Sequence, residues 1–292
     1  SSRQVANING YLMPMGNIFI GRRANPLSPQ FLPICKGSMA RDNGGLVLTA
    51  EERDLLLEEA PSAIKFIKPF IGGSEFIKKI SRYCLWIDDN DVDNAYRIPF
   101  IKHRLNIVYS YRANSKAPST REYATRPHLF VQRTYRNIDF IYIPQVSSSR
   151  RQYIPIGYMS NGEVASDKSF AIYNAPMWLL SVLSSKIHMV WIQHVGGRLK
   201  TDYSYSSNIC YNSFPFPKIS NEQMDRLTTL AENILLVREN HTEMTLGEMY
   251  NPESMPLDLK EAHHALDIVV EQCYRTEPFT SDEERLEYLF KL

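Results

Sequence analysis

Two kinds of apolar pattern alternate along this chain: residues repeating every three to four positions, and short uninterrupted runs. Thr49 followed three residues later by Glu52 has the form of a capping box, which places Leu55, Leu56 and Leu57 on a helix ending near Pro61. Ser62 is read as the cap of a second helix through Ile64, Ile67 and Lys68 to Pro69, stopped by Gly72-Gly73. Ile98 to Arg112 carries Ile101, Leu105 and Val108 at helical spacing, with a basic outer face. Pro176 opens a further helix, with Leu179, Leu183, Ile187 and Trp191 on one side until Gly196-Gly197 ends it. Ile18–Ile20, Tyr83–Ile87, Phe140–Ile143, Tyr153–Ile156 and Phe170–Tyr173 are runs of strand length between turn residues. The sharpest boundary is Asn212–Pro217, where two prolines one residue apart exclude a helix. Beyond it Ser220 and Gln223 form a second capping box, followed by Leu227, Leu230, Ile234 and Val237 at helical spacing. Helices are expected again over Leu259–Tyr274 and Ser281–Leu289.

The composition, 43% hydrophobic and 22% charged over 292 residues, suits one or two globular domains with a true core. No run approaches the roughly 18 apolar residues of a membrane span, and no signal-peptide core follows the start, so a soluble, cytoplasmic protein is expected. The chain begins without Met and enters an ordered-looking segment, Ile8–Leu12, which suggests a piece from the end of something longer. Cys35, Cys84, Cys210 and Cys273 lie far apart with no zinc spacing, which predicts reduced thiols and no metal. The net charge of +1 conceals a strong asymmetry. Residues 97–151 hold 11 Lys and Arg against only Glu122 and Asp139, whereas residues 219–292 hold 6 against 16 Asp and Glu. A basic central module facing a polyanion, and an acidic one facing elsewhere, is the implied arrangement.

Catalytic signatures are missing. An amino-group methyltransferase needs a Gly-rich turn for S-adenosylmethionine and an Asn/Asp-Pro-Pro-aromatic loop for the flipped base, and the chain has no Pro-Pro pair. Nor is there a P-loop, an H-E-x-x-H or a G-x-S-x-G sequence. What remains is binding chemistry. Arg112, Lys116 and Arg121 in the basic window, interleaved with tyrosines, are candidates for phosphate contacts. The polar turn Ser147–Tyr153 carries Arg150, Arg151 and Gln152, groups able to make paired hydrogen bonds to base edges. Gln193 and His194, at a helix end beside two glycines, are placed to reach out in the same way, whereas His188 reads as a core histidine. Arg198, Lys200, Tyr203 and Tyr205 alternate on a segment read as extended, presenting cations and hydroxyls to a nucleic-acid backbone. A protein-interaction module would account for the Pro-rich start and the acidic tail but leaves the basic window without a use.

Gly37-Ser38-Met39, Asp42–Leu48, Arg82–Trp86, Pro144–Ser148, Tyr153–Gly157, Gly197–Ser206 and Tyr211–Pro215 together resemble the C-terminal part of MmeI-like enzymes, single-chain DNA methyltransferases of which some are fused to a nuclease. The resemblance implies an α+β fold: a strand-rich mixed target-recognition domain over residues 1–216 and a small helical domain over residues 217–292. It implies a bacterial parent that methylates adenine with S-adenosylmethionine, double-stranded DNA and the parent's own methyltransferase domain as partners, and no cofactor in this part. The acidic tail is expected to pack on the recognition or methyltransferase domain rather than on DNA.

Overall fold

The structure, a computed structural model, describes residues 9–11 and 16–292; Ile8 and Leu12 of the expected opening segment lie outside the described residues. In chain order the elements are β1 (Cys35–Lys36), β2 (Val47–Thr49), α1 (Ala50–Glu59), β3 (Ile67–Ile71), α2 (Gly73–Lys78), β4 (Arg82–Leu85), α3 (Val92–Tyr96), α4 (Pro99–Ala113), α5 (Pro118–Arg121), β5 (Phe140–Pro144), β6 (Val146–Ser147), β7 (Gly157–Met159), β8 (Val164–Ala165) and β9 (Ser169–Tyr173). They continue as α6 (Met177–Leu183), α7 (Lys186–Val195), β10 (Gly197–Leu199), β11 (Asp202–Ser204), α8 (Asn221–Glu239), α9 (Leu246–Met249), α10 (Leu257–Gln272) and α11 (Asp282–Lys291). The fold is mixed α+β with a helical C-terminal region. The chain forms two compact units: a first of residues 1–34, 140–158 and 172–292, and a second of residues 35–139 and 159–171.

The second unit is built on a four-stranded sheet ordered β2-β4-β3-β8, antiparallel except where β3 meets β8. Leu48, Leu85 and Phe70 of this sheet, Leu56 of α1, and Ile101, Leu105 and Val108 of α4 share one buried apolar cluster with Trp86 and Phe130. The Thr49–Glu52 capping box forms as the spacing predicts. The expected helix reaching Pro69 does not. A 3-10 turn over Pro61–Phe66 gives way to β3, because Ile67, Lys68 and Pro69 pair with Leu85, Cys84 and Tyr83. A proline that cannot donate stays in that ladder at an exposed position, and the long-range pairing overrides the local helical spacing. Gly73 does not end ordered structure there but starts the short α2.

In the first unit α8 packs against both α6 and α10, and α11 packs against α7, so the acidic tail helices cover the apolar helices that precede them. The expected continuous helix from Pro176 to Gly196 is two helices. Ser185 caps α7 with its hydroxyl, accepting from His188 N, and the Asp267 carboxylate of α10 accepts from Lys186 N at 2.6 Å. Two caps on one helix start make the break at Ser184-Ser185 stable. Tyr153–Ile156 is buried but not a strand; the strand starts at Gly157. There Tyr153 donates to Asp267 at 2.7 Å and stacks on His263 at 4.1 Å, so the run is spent on packing against α10 rather than on a ladder. Ile18–Ile20 is likewise outside any strand. The capping box at Ser220 starts α8 where expected, and the expected last helix begins after Ser281, whose hydroxyl accepts from Glu284 N.

Candidate nucleic-acid interface

Two of the polar segments meet in a three-stranded antiparallel sheet of the first unit, ordered β10-β11-β6. The segment expected to be extended is a hairpin. Arg198 faces Tyr203 and Leu199 faces Asp202 across it, and Tyr203 faces Ser147 on the other side. The hairpin turns at Lys200, whose φ of 57° is left-handed. A residue with a Cβ carries a cost of roughly 1–2 kcal/mol in that conformation. The turn leaves the Lys200 side chain exposed.

Each neighbour is held by a nameable contact. The Arg198 guanidinium lies 4.1 Å from the Tyr203 ring centre and donates to the carbonyl of Gln193 at 3.2 Å, tying the hairpin to the end of α7. Tyr203 is buried and donates to the Ser149 carbonyl at 3.3 Å, while the Ser149 amide donates to Asp202 Oδ1 at 3.3 Å. The Ser147–Arg151 turn is thus pinned from both sides by β11. Arg151 donates to Ser147 Oγ at 3.2 Å, and burial pulls its guanidinium below the usual value, partly countered by Asp202. Arg150 is exposed and paired with Glu253, itself exposed. Such a pair contributes no more than about 1 kcal/mol and yields readily to a phosphate. Gln152 is exposed and Gln193 half-buried. His194 is exposed, and its Nδ1 donates to the Val190 carbonyl at 2.8 Å, so in the neutral ring Nε2 is an outward acceptor.

Arg150, Arg151, Gln152, Gln193, His194, Arg198, Lys200 and Tyr203 therefore gather around one small sheet and the helix end beside it. Three expected backbone contacts are corrected by burial, the first being Tyr203, 6% exposed with its hydroxyl on the Ser149 carbonyl. Tyr205 is 2% exposed and hydrogen-bonds to His188, whose ring burial holds at about 3, so the imidazole is neutral. Arg112 is wholly inaccessible: its five N–H groups donate to the carbonyls of Ala40, Arg41, Tyr123, Arg126 and Leu129. Burial lowers its pKa to about 10.

The basic window also presents less charge than it contains. Arg104 is turned to the carbonyls of Gly44, Gly45 and Val47 and to Glu52, and Arg133 to Ile87 and Asp88. Lys116 and Arg121 remain exposed in the second unit, Arg121 closing the end of α4 through the carbonyls of Ser115 and Lys116. Sequence reasoning missed Asp202 and Glu253 as partners of the 147–151 turn, because both act across more than fifty residues of chain. No cluster of three or more potential metal ligands, and no helix long and apolar enough to cross a membrane, occurs among the described residues.

A small sheet that lifts cations, amides and an imidazole on short, braced excursions has the form of a recognition module. The chain belongs to the MmeI family: the model of the MmeI target recognition domain matches residues 14–218, and that of the MmeI C-terminal domain residues 219–292. It is 39% identical over its whole length to DNA methyltransferase A of Bacillus subtilis (strain 168), of which it spans 33%. Among solved structures it matches the type IIL restriction-modification enzyme MmeI, determined in complex with DNA, with a TM-score of 0.93 and 32% identity, over 98% of this chain and 38% of that one.

Proposed function

We propose that this chain is the sequence-selecting part of an adenine-specific, S-adenosylmethionine-dependent DNA methyltransferase of restriction–modification type, acting on double-stranded DNA in the bacterial cytoplasm. The observation that carries this reading is the gathering of the exposed polar groups of β6, the β10–β11 hairpin and the end of α7 on one braced sheet. Arg150, Arg151, Gln152, Gln193 and His194 read base edges, while Lys116, Arg121, Arg198 and Lys200 hold phosphates. Tyr203 braces Arg198 and the Ser149 turn instead of touching DNA. The chain carries neither a Pro-Pro-aromatic loop nor a Gly-rich cofactor turn, so the parent's methyltransferase domain holds both the cofactor and the flipped adenine.

The test is duplex binding by fluorescence anisotropy from about 50 to 200 mM salt, where four phosphate contacts give a slope of log K against log salt of about −3.6. Replacing Lys116, Arg121 and Lys200 by Ala is expected to flatten the slope by about 2.7. A slope unchanged by the triple replacement refutes the phosphate assignment. Calorimetric titration with S-adenosylmethionine is expected to give no saturable heat with this chain, and micromolar binding would overturn the division of labour.

A further inference from the structure

The outward face of α4 contrasts with its inward one. Ile101, Leu105, Val108 and Arg112 point into the core of the second unit, and Arg104 is drawn to the loop over residues 44–47. The face left in solvent carries Lys102, His103, Asn106, Tyr109, Ser110 and Asn114. No Asp or Glu occurs from Asn94 to Arg121, so this surface has no carboxylate of its own sequence to repel an anion. Alongside it runs a trough of about 600 Å³, lined by Asn43, His103, Asn106, Ser110, Tyr111 and Asn114.

The far wall of the trough is unusually fixed. Arg41, Asn43 and Gly44 have φ values of 47°, 52° and 81°, three left-handed residues within four. Arg112 holds the carbonyls of Ala40 and Arg41, and Arg104 those of Gly44, Gly45 and Val47. At Gly45 the loop passes so close to α4 that a Cβ would stand 2.4 Å from Val108 Cγ2. The arginines that leave the surface therefore set the loop against the helix, and the trough presents the polar groups of Asn43, His103, Asn106, Ser110 and Asn114 beside Ile107 and Tyr111, with the exposed Lys102 and Lys116 toward the two ends of α4.

We propose that this trough seats a phosphodiester strand of duplex DNA, adding Lys102, His103, Asn106, Ser110 and Asn114 to the contacts that position the protein without reading sequence. Amides, hydroxyls and helix-borne cations are the groups that bind phosphate and sugar oxygens. From Lys102 to Asn114 the helix spans about 18 Å, roughly five steps of one DNA strand along its axis. The inference rests on the DNA reading given above.

The experiment places near-isosteric carboxylates on the face, Asn106→Asp with Asn114→Asp, in the full-length methyltransferase, and separately Lys102→Gln. Binding to cognate and unrelated duplexes is measured at about 0.1 M salt, with methylated sites sequenced and melting temperatures compared. The double variant is expected to bind both duplexes at least about tenfold more weakly, with the methylated site unchanged, and Lys102→Gln to lower the salt slope by about 0.9. Unchanged affinity in folded variants overturns the trough assignment alone. A loss confined to the cognate duplex, or a changed methylated site, overturns it in favour of base reading by α4. If the unmodified enzyme binds no duplex, the DNA reading itself fails.

Discussion

Replacing Arg112 by Ala separates a structural arginine from a DNA-binding one. In the folded chain its five N–H groups satisfy five main-chain carbonyls from residues 40–41 and 123–129, segments that have no ladder of their own to join. Its partners are neutral carbonyls, so the loss is that of a buried hydrogen-bond network rather than of an ion pair, and is expected to cost about 3–5 kcal/mol. The carbonyls of Tyr123 and Arg126 keep main-chain donors in Arg126 N and Leu129 N, so the acceptors orphaned are those of Ala40, Arg41 and Leu129; at about 1–3 kcal/mol each they sum to as much or more, but water entering the vacated space rescues some of them. Taking the lower figure, and roughly 2–4 °C per kcal/mol for a domain of this size class, the melting temperature falls by about 6–20 °C. Arg112→Lys retains the charge but has three donors on one atom instead of a five-donor fork, so it recovers only part of the loss. Thermal unfolding by circular dichroism measures the first effect and salt-dependent anisotropy the second. If Arg112→Ala melts within about 2 °C of the parent and lowers the salt slope by about 0.9, the side chain faces DNA and the burial argument is wrong.

Asp267 is held at about 7 chiefly by burial, with Tyr153 and the Lys186 amide donating to it. A folded pKa raised above the ordinary carboxylate value means stability that is full below about 4 and lost as pH rises toward 7. Asp267→Asn should remove that component, so its melting temperature gains on the parent between pH 5 and pH 8; parallel curves would show that the carboxyl ionises normally. Lys200→Gly relieves a left-handed Cβ at the hairpin turn and is expected to alter stability by less than about 1 kcal/mol while weakening DNA binding. A variant with undiminished affinity would remove Lys200 from the interface.

Local chemistry alone determined much of this protein. The capping boxes at Thr49 and Ser220, the inward stripe of α4, the strands at Tyr83 and Phe140 and the tail helices each follow from side chains within one or two turns of one another. The resemblance to the MmeI family was likewise legible in short motifs. The sequence also marked the Ser147–Tyr153 turn and the Gly197–Tyr205 segment as polar and cationic, because composition records which groups are present. Composition does not record where they point. Only tertiary structure decided that Arg112 and Arg104 turn inward to clamp a loop, since a guanidinium is buried when distant carbonyls converge to take its donors. The same holds where Ile67–Ile71 leaves the helical pattern for a ladder with β4 and where Ser185 and Asp267 split one apolar stripe into two helices. Each depends on a partner tens of residues away, whose hydrogen bonds and buried surface outweigh the fractions of a kcal/mol that local propensity supplies.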